Sequence, residues 1–407
     1  MRLFDQKEPN FGPIPANLPP VLIVGAGPVG LTLALGLIRK GVPVRVFEAL
    51  PELSPDARCS TIHPATLEIF DEWGVVDAVL DHGHPVEGLQ YWERESRSVV
   101  ASLAYDAIAE DTPYPFRLQC PQSLLTRVLK PVVEASPLAE VHMGHALVDF
   151  RDCGDEVEAV FETDTGLKTV RGVYLCGCDG AHSTTRQKLD LSFEGERYAD
   201  RFLLVPTDLD LRAYYPGISS AAYFFSPDEW TITLQLPDVT RIVFRVRRDE
   251  DADTLLQDEH IRERIWGFLG EKVDFTIFAK SIYNVHKRAA DTFRCGRVLL
   301  VGDAAHLNNP MGGMGMNGGI QDAYVLVHKL RETLGGAPDS VLDDYNAERM
   351  AAQSSLIHAQ TDKNYRDMTA SNESERKTRN QEFQAIAASH ERTRAYLLRA
   401  SMLGHRA

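Results

Sequence analysis

Cysteine, basic charge and long uninterrupted apolar helices are all scarce in this chain of 407 residues. The six cysteines (Cys59, Cys120, Cys153, Cys176, Cys178 and Cys295) are dispersed, which excludes a disulfide scaffold and predicts a reducing compartment. Cys176 and Cys178 have no second Cys or His pair at ligand spacing, so no metal site is expected and both read as small buried apolar groups. Lys and Arg number 43 against 58 Asp and Glu, a net charge of −15. An acidic surface repels phosphate backbones and anionic membrane, which argues against nucleic acid as a partner. Residues 21–38 carry no charge and reach about the shortest length able to cross a bilayer. Three glycines and a proline in the first ten of those positions mark a strand, a turn and a helix instead, so no integral membrane segment is expected. Residues 1–20 hold five prolines and no apolar run; no secretory signal is predicted, and the expected location is cytoplasmic.

What is present suffices for at least two lobes sharing a large core. From Pro20 the pattern is a buried strand Val21–Val24, a glycine turn, a helix to about residue 40 and a second strand over 44–48, which makes one βαβ unit. An amphipathic helix is predicted over 122–135, then a meander of strands over 146–150, 157–162 and 169–176 joined by Gly-containing turns. Aromatic and β-branched residues crowd 201–246, predicting antiparallel strands Ala221–Phe225, 230–236 and 241–246 in a separate sheet. A third α/β signal runs from 298–301 into Gly302-Asp303, and a glycine-rich loop opens a helix at about 318–330. The charged helical pattern from Leu342 onward predicts helices covering the nucleotide lobe.

Gly25-Ala26-Gly27-Pro28-Val29-Gly30 fits GxGxxG in the context that gives it meaning, directly after a buried strand and opening a helix. Gly25 permits the tight turn, Gly27 the close approach of backbone to a pyrophosphate, and Gly30 close helix–strand packing, while the helix N-terminus attracts the anion. Glu48 ends the second strand, where its carboxylate can accept hydrogen bonds from ribose hydroxyls. The plainer reading is a structural glycine turn with Glu48 a surface acid.

Two further segments follow apolar strands. One is Cys178-Asp179-Gly180-Ala181-His182-Ser183 with Arg186; the other is Gly302-Asp303-Ala304-Ala305-His306 with Pro310, Gly312, Gly313, Gly315 and Asn317. In this order, over about residues 20–330, the three motifs resemble the fingerprints of the group A flavoprotein monooxygenases, the para-hydroxybenzoate hydroxylase family. The resemblance implies an α/β fold: a Rossmann-like FAD-binding domain over 19–85, 116–195 and 281–340, an inserted antiparallel β-sheet substrate domain over 86–115 and 196–280, and C-terminal helices over 341–407. It implies FAD held by Gly25, Gly27, Gly30 and Glu48, with Asp303 on the ribityl chain. The backbone N–H groups of Gly315, Met316 and Asn317 would face the flavin pyrimidine ring, where a helix N-terminus suits the charge of reduced flavin. Pro310 is implied beside the flavin and the reacting oxygen, and Asp179 is implied to support the FAD lobe and the hydride route from NAD(P)H. Arg58 near the pyrophosphate, and Gln122 with Arg127 on the following helix, are softer matches that ordinary surface polar residues would also explain.

The implied cofactor brings its reaction with it. NADH or NADPH reduces FAD, O2 adds at C4a, and the terminal oxygen of the hydroperoxide passes to an electron-rich carbon. The expected substrate is a small phenol or hydroxylated N-heteroaromatic in a dry pocket. Alignment with the family prototype implies that Tyr223 hydrogen-bonds a substrate hydroxyl; a core tyrosine with a capped hydroxyl is equally open. The prototype's carboxylate-binding arginine falls near Gln235 or Leu236, which puts a benzoate clamp there in doubt, and Arg245 and Arg247 read as solvent-facing. His63 is a candidate beside the substrate or NAD(P)H channel, although a lone histidine is more often structural, and His306 reads as a positioner of loop backbone. Epoxidation, oxidative decarboxylation, N-hydroxylation and reductase chemistry on the same fold stay open. The WxWxIP element of flavin halogenases is not matched by Trp73, Trp92, Trp230 or Trp266. Ending at Ala407, the chain is expected among the compact members that lack a thioredoxin-like C-terminal domain, and a homodimer is implied by family habit alone.

Overall fold

Val21–Val24 is apolar and buried at every position, as a strand covered on both faces must be. It pairs in parallel with Val44–Phe47 on one side and Leu175–Gly177 on the other. In this computed structural model, which describes residues 12–55, 59–247, 249–370 and 372–403, Val298–Leu300 and Ala139–His142 extend that sheet in parallel. Arg294–Cys295 adds an antiparallel edge, making six strands. The helix Pro28–Arg39 begins on a proline, whose missing N–H is no loss in a first turn, and ends before Gly41 at φ +77°. Its Gly36 faces Val327 and Trp73, with a Cβ there only 2.6 Å from Val327, so this helix and Met314–Leu334 lie in close contact.

The reading of 169–176 as one strand is corrected. Gly166–Gly172 closes the three-stranded meander with Ala146–Asp152 and Val157–Thr163, and Leu175–Gly177 belongs to the parallel sheet. The break falls where Gly172 packs against Pro20: a Cβ would sit 2.4 Å from the Pro20 carbonyl, which instead accepts the Val173 N–H at 3.0 Å. The long helix also starts earlier than its sequence pattern predicts, at Met314, because Gly313 takes the left-handed conformation at φ +69° and ends the loop there.

The aromatic region forms part of an eight-stranded sheet. Its order is His306–Leu307, Ser281–Ala290, Phe193–Thr207, Thr240–Val246, Thr231–Gln235, Ala221–Phe225, Gly88–Glu93 and Ser98–Ala104. Only Ala221–Phe225 with Gly88–Glu93 is a parallel pair. Alternation along Ala221–Phe225 divides its side chains. Ala222 and Phe224 pack toward Ile265 and Phe268 of helix Asp258–Leu269, whereas Ala221, Tyr223 and Phe225 join Tyr91, Met311 and Met314. Of the C-terminal helices, Val341–Ala352 joins the nucleotide-lobe core through Leu342 and Tyr345. Glu373–Ala387 and His390–Ala400 do not cover that lobe. Phe383, Tyr396 and Leu397 bury themselves in the Tyr91–Tyr223 layer, the face with enough aromatic surface to receive them. Between the two large sheets lies a small one of Thr61–Ile62, Arg117–Gln119 and His84–Val86. No helix among the described residues is long and apolar enough to cross a membrane.

Candidate active site

Four adjacent parallel strands end at one edge: Val24 leads into Gly25, Phe47 into Glu48, Gly177 into Cys178-Asp179, and Leu300 through Val301 into Gly302-Asp303. In open α/β sheets this carboxyl edge is where ligands bind. Gly25 has φ +106°, and a Cβ on it would lie 2.5 Å from the Cys178 carbonyl; one on Gly30 would lie 2.0 Å from the Gly25 carbonyl. Around Gly27 no atom falls within 4 Å of a Cβ, so that position faces open space. Glu48 Oε2 accepts the Ala26 N–H at 2.8 Å and Oε1 the Leu50 N–H at 3.0 Å, which fixes the carboxylate beside the glycine turn. A dinucleotide fits these residues: a side-chain-free floor, a helix start behind it and a held carboxylate at the next strand end.

Asp179 works locally, accepting from Ser183 Oγ at 2.6 Å, Thr185 N at 2.9 Å and Thr185 Oγ1 at 3.0 Å. Asp303 is exposed on the short turn Gly302–Ala304. Burial first, and the Asp303 charge second, push the nearby Cys59 thiol up to about 11, while Arg241 and the Met316 N–H act in the opposite direction. Cys59, Asp303, Arg241 and Met316 therefore share one neighbourhood. Gly315 and Met316 stand in the first turn of Met314–Leu334, where N–H groups have no intrahelical acceptor, and Pro310 is exposed on the preceding loop, its carbonyl accepting the Gly313 N–H at 2.9 Å.

The Asn317 side chain is a clamp. Nδ2 donates to the carbonyls of Gly313 (2.7 Å) and Thr61 (2.8 Å), and Oδ1 accepts from His63 N (2.9 Å) and Thr66 Oγ1 (2.7 Å). It ties the helix start to the small sheet. His63 is buried with Nε2 2.8 Å from the Gly312 carbonyl. Burial, then the Arg117 charge, lowers its pKa to about 3, so the ring stays neutral. Behind the same helix, Asp322 joins His306 Nε2 (2.6 Å), Arg349 Nε (2.6 Å) and the Gly302 N–H (3.1 Å), so His306 steadies the Gly302 turn through a carboxylate.

Arg58 lies outside the described residues. Gln122 opens its helix half-buried, its N–H on the Cys59 carbonyl at 2.9 Å, whereas Arg127 is exposed and donates back to Ser123 O at 3.3 Å. Gln235 is occupied locally by Thr240 Oγ1 and the Leu236 carbonyl, both at 2.9 Å. The solvent-facing reading of Arg245 is corrected: its Nε lies 2.9 Å from buried Asp200, because its strand lies inside the sheet; Arg247 is exposed.

Tyr223 stacks on Tyr91 with ring centroids 5.3 Å apart, and its hydroxyl accepts from Arg117 Nη1 at 3.2 Å. Arg117 follows in register from the strand that pairs with Thr61–Ile62, which puts it beside His63 and in the path between the helix start and the aromatic layer. Tyr91 and Tyr396 share a 2.7 Å hydrogen bond, and Tyr105 lies under the Arg117 guanidinium at 5.9 Å. Burial raises the pKa of Tyr91, Tyr105 and Tyr396, so all three hydroxyls stay protonated. Sequence reasoning missed Arg117, Tyr91, Tyr105, Tyr396, Cys59 and Arg241. The one available signal was a lone cation in the apolar run around Leu118.

A nucleotide edge, a helix start and an aromatic layer joined in this way define a flavoprotein of the hydroxylase type. The FAD binding domain family matches residues 19–360, and the chain belongs to it, among the group A flavoprotein monooxygenases. Para-nitrophenol 4-monooxygenase of Pseudomonas sp. strain WBC-3 is 32% identical over 339 residues, covering 81% of this chain and 82% of that protein. 6-Hydroxy-3-succinoylpyridine 3-monooxygenase HspB of Pseudomonas putida strain S16 is 31% identical over 363 residues, covering 86% and 88%. The crystal structure of p-nitrophenol 4-monooxygenase PnpA from Pseudomonas putida DLL-E4 superposes with a TM-score of 0.90 at 28% identity, over 96% of this chain and 99% of that one.

Proposed function

We propose that this protein is an FAD-dependent monooxygenase that consumes NADH or NADPH and O2 and hydroxylates a phenol or a hydroxylated N-heteroaromatic. The observation that carries the reading is the Asn317 clamp, which fixes the helix start at the nucleotide edge against the strand pair leading to Arg117 and Tyr223. FAD, when bound, supplies hydride acceptance and oxygen transfer by the route the family resemblance implies. The chain's own part is to orient and to exclude water. Met311, Met314 and Ile357 wall the aromatic layer with apolar surface. Neutral His63 holds the Gly312 carbonyl and, at a pKa of about 3, carries no charge toward the ring site near neutral pH. The names of the relatives support phenols and hydroxypyridines as the substrate class.

The test is oxidation of NADH and NADPH by the purified yellow protein with hydroxybenzoates, hydroxypyridines and neutral phenols, tracking peroxide and incorporation of labelled O2. Many-fold stimulation by one ring class, with label in the product, is expected. Stimulation without an oxygenated product points to a reductase, and no reduction by either nicotinamide removes the reading.

A further inference from the structure

Arg117 is a buried cation with no carboxylate. It is 4% exposed, and among the described residues it forms no ion pair. Nη1 reaches Tyr223, Nη2 reaches the Ala400 carbonyl only at 3.5 Å, and Nε has no hydrogen-bond partner. Nearby, His63 Nδ1 is buried without a hydrogen-bond partner, and the buried Tyr105 hydroxyl, beside Ser401 and Arg117, makes no hydrogen bond of good geometry. Three other buried arginines are answered by the chain. Arg349 pairs with Asp322 at 2.6 Å, Arg379 with Glu93 at 3.1 Å, and Arg186 donates to the carbonyls of Ala304 (2.8 Å) and Ala181 (2.9 Å). A guanidinium taken out of water without a counter-charge is costly, and neutral hydroxyls solvate it only in part.

We propose that Arg117, with the hydroxyls of Tyr223 and Tyr105, binds an oxyanion carried by the aromatic substrate, so that the enzyme selects ionised rings over neutral ones. The inference rests on the monooxygenase reading and narrows its substrate class. The oxyanion is a phenolate or a ring carboxylate, both of which match the guanidinium fork. The site is not the place near Gln235 and Leu236 where a clamp was expected; Arg117 stands in the small sheet, in register beside His63. A phenol bound there loses its proton to solvent on entry, since burial keeps His63 from accepting it and keeps the Tyr105 hydroxyl protonated. Arg117 thereby acts as a specificity residue that also keeps the ring electron-rich.

The experiment titrates FAD-loaded protein, by flavin absorbance, with two pairs: 4-nitrophenol against 4-nitroanisole, and 4-hydroxybenzoate against 4-hydroxybenzamide. At least one anion is expected to bind about tenfold or more tightly than its neutral counterpart, the scale of a charged hydrogen bond. Which pair shows the preference separates phenolate from carboxylate. Arg117→Gln should bring the pair to within about twofold with flavin retained, and Arg117→Lys should keep much of the preference. For the wild type, the colour of bound 4-nitrophenol should be that of its anion at pH values where the free phenol is still protonated, a readout that a merely structural role would not move. If Arg117→Gln loses flavin, that spectrum and the lysine variant decide. Equal binding of neutral and anion, no binding of either anion, or a preference that survives Arg117→Gln would overturn the proposal. A colourless protein that keeps the Arg117-dependent preference removes the monooxygenase reading alone, and a yellow, NAD(P)H-oxidising protein without it removes this inference alone.

Discussion

Two buried arginines, Arg349 and Arg117, have similar exposure and opposite surroundings. Arg349 meets Asp322, which also holds His306 and the Gly302 N–H; Arg117 meets only tyrosine hydroxyls and a distant carbonyl. Burial alone would raise the Asp322 pKa, but His306 and Arg349 outweigh it and hold the carboxyl down at about 2. The first cluster is closed, with each charge answered within the chain, and it serves to hold the Gly302–Asp303 turn. The second is open, and an open charge is a binding determinant. The pairing of a charge, more than its burial, separates structural from functional sites here.

The largest effect should come from opening the closed cluster. Asp322→Ala strands Arg349 and is expected to lose about 3–5 kcal/mol in denaturant unfolding, whereas Arg117→Gln should stay within about 1 kcal/mol of the wild type or gain stability. Equal losses would erase the contrast. Because the folded pKa of Asp322 is depressed, its contribution is complete above the unfolded value and fades as pH falls toward about 2.

Next in size, Asn317→Ala leaves two buried donors and two carbonyls unanswered and should lower stability by about 2–3 kcal/mol, with FAD lost on gel filtration. A variant that unfolds earlier yet keeps its flavin would make the clamp structural only. The glycine turn sharpens the same distinction between architecture and ligand. Gly30→Ala, with its Cβ 2.0 Å from a carbonyl, should cost about 1–3 kcal/mol in the apoprotein. Gly27→Ala, at φ −71° and facing open space, should change apoprotein stability by less than about 0.5 kcal/mol and still weaken FAD binding by about tenfold or more. Retained FAD affinity in Gly27→Ala would place the pyrophosphate elsewhere.

The smallest predicted effect concerns His63. Its folded pKa lies below the unfolded value, so the unfolded chain binds the extra proton and stability falls as pH drops from 6.5 toward 3. Between pH 7 and 6 this amounts to about 0.7 kcal/mol and should vanish in His63→Asn. An unchanged slope would show that His63 is not the group responsible.

These contrasts also explain what could be read in advance. The nucleotide edge was legible because its signals are local: a glycine at φ +106°, a helix start after a buried strand, an acid at a strand end. The aromatic layer was legible only in part. Tyr223 could be picked by alignment, but Arg117 is answered by residues at 105, 223 and 400, and no window of sequence contains such an environment. Arg245 was misread for the same reason, since alternation along a strand does not reveal that Asp200 waits on the next one. Asn317 stands near the helix start, yet three of its four side-chain bonds reach Thr61, His63 and Thr66, some 250 residues away in the chain.

The packing of His390–Ala400 against the aromatic layer has a consequence for how the protein is made. Tyr396 and Leu397 are translated after every strand of the eight-stranded sheet, so the nascent chain carries Tyr91, Tyr223 and Phe225 uncovered while the rest is synthesised. At ordinary ribosomal speeds the delay between Phe225 and Tyr396 is on the order of 10–30 s. For that interval the nucleotide edge can already be assembling while the aromatic face lies bare, which makes that face the part of the newborn protein most in need of a chaperone.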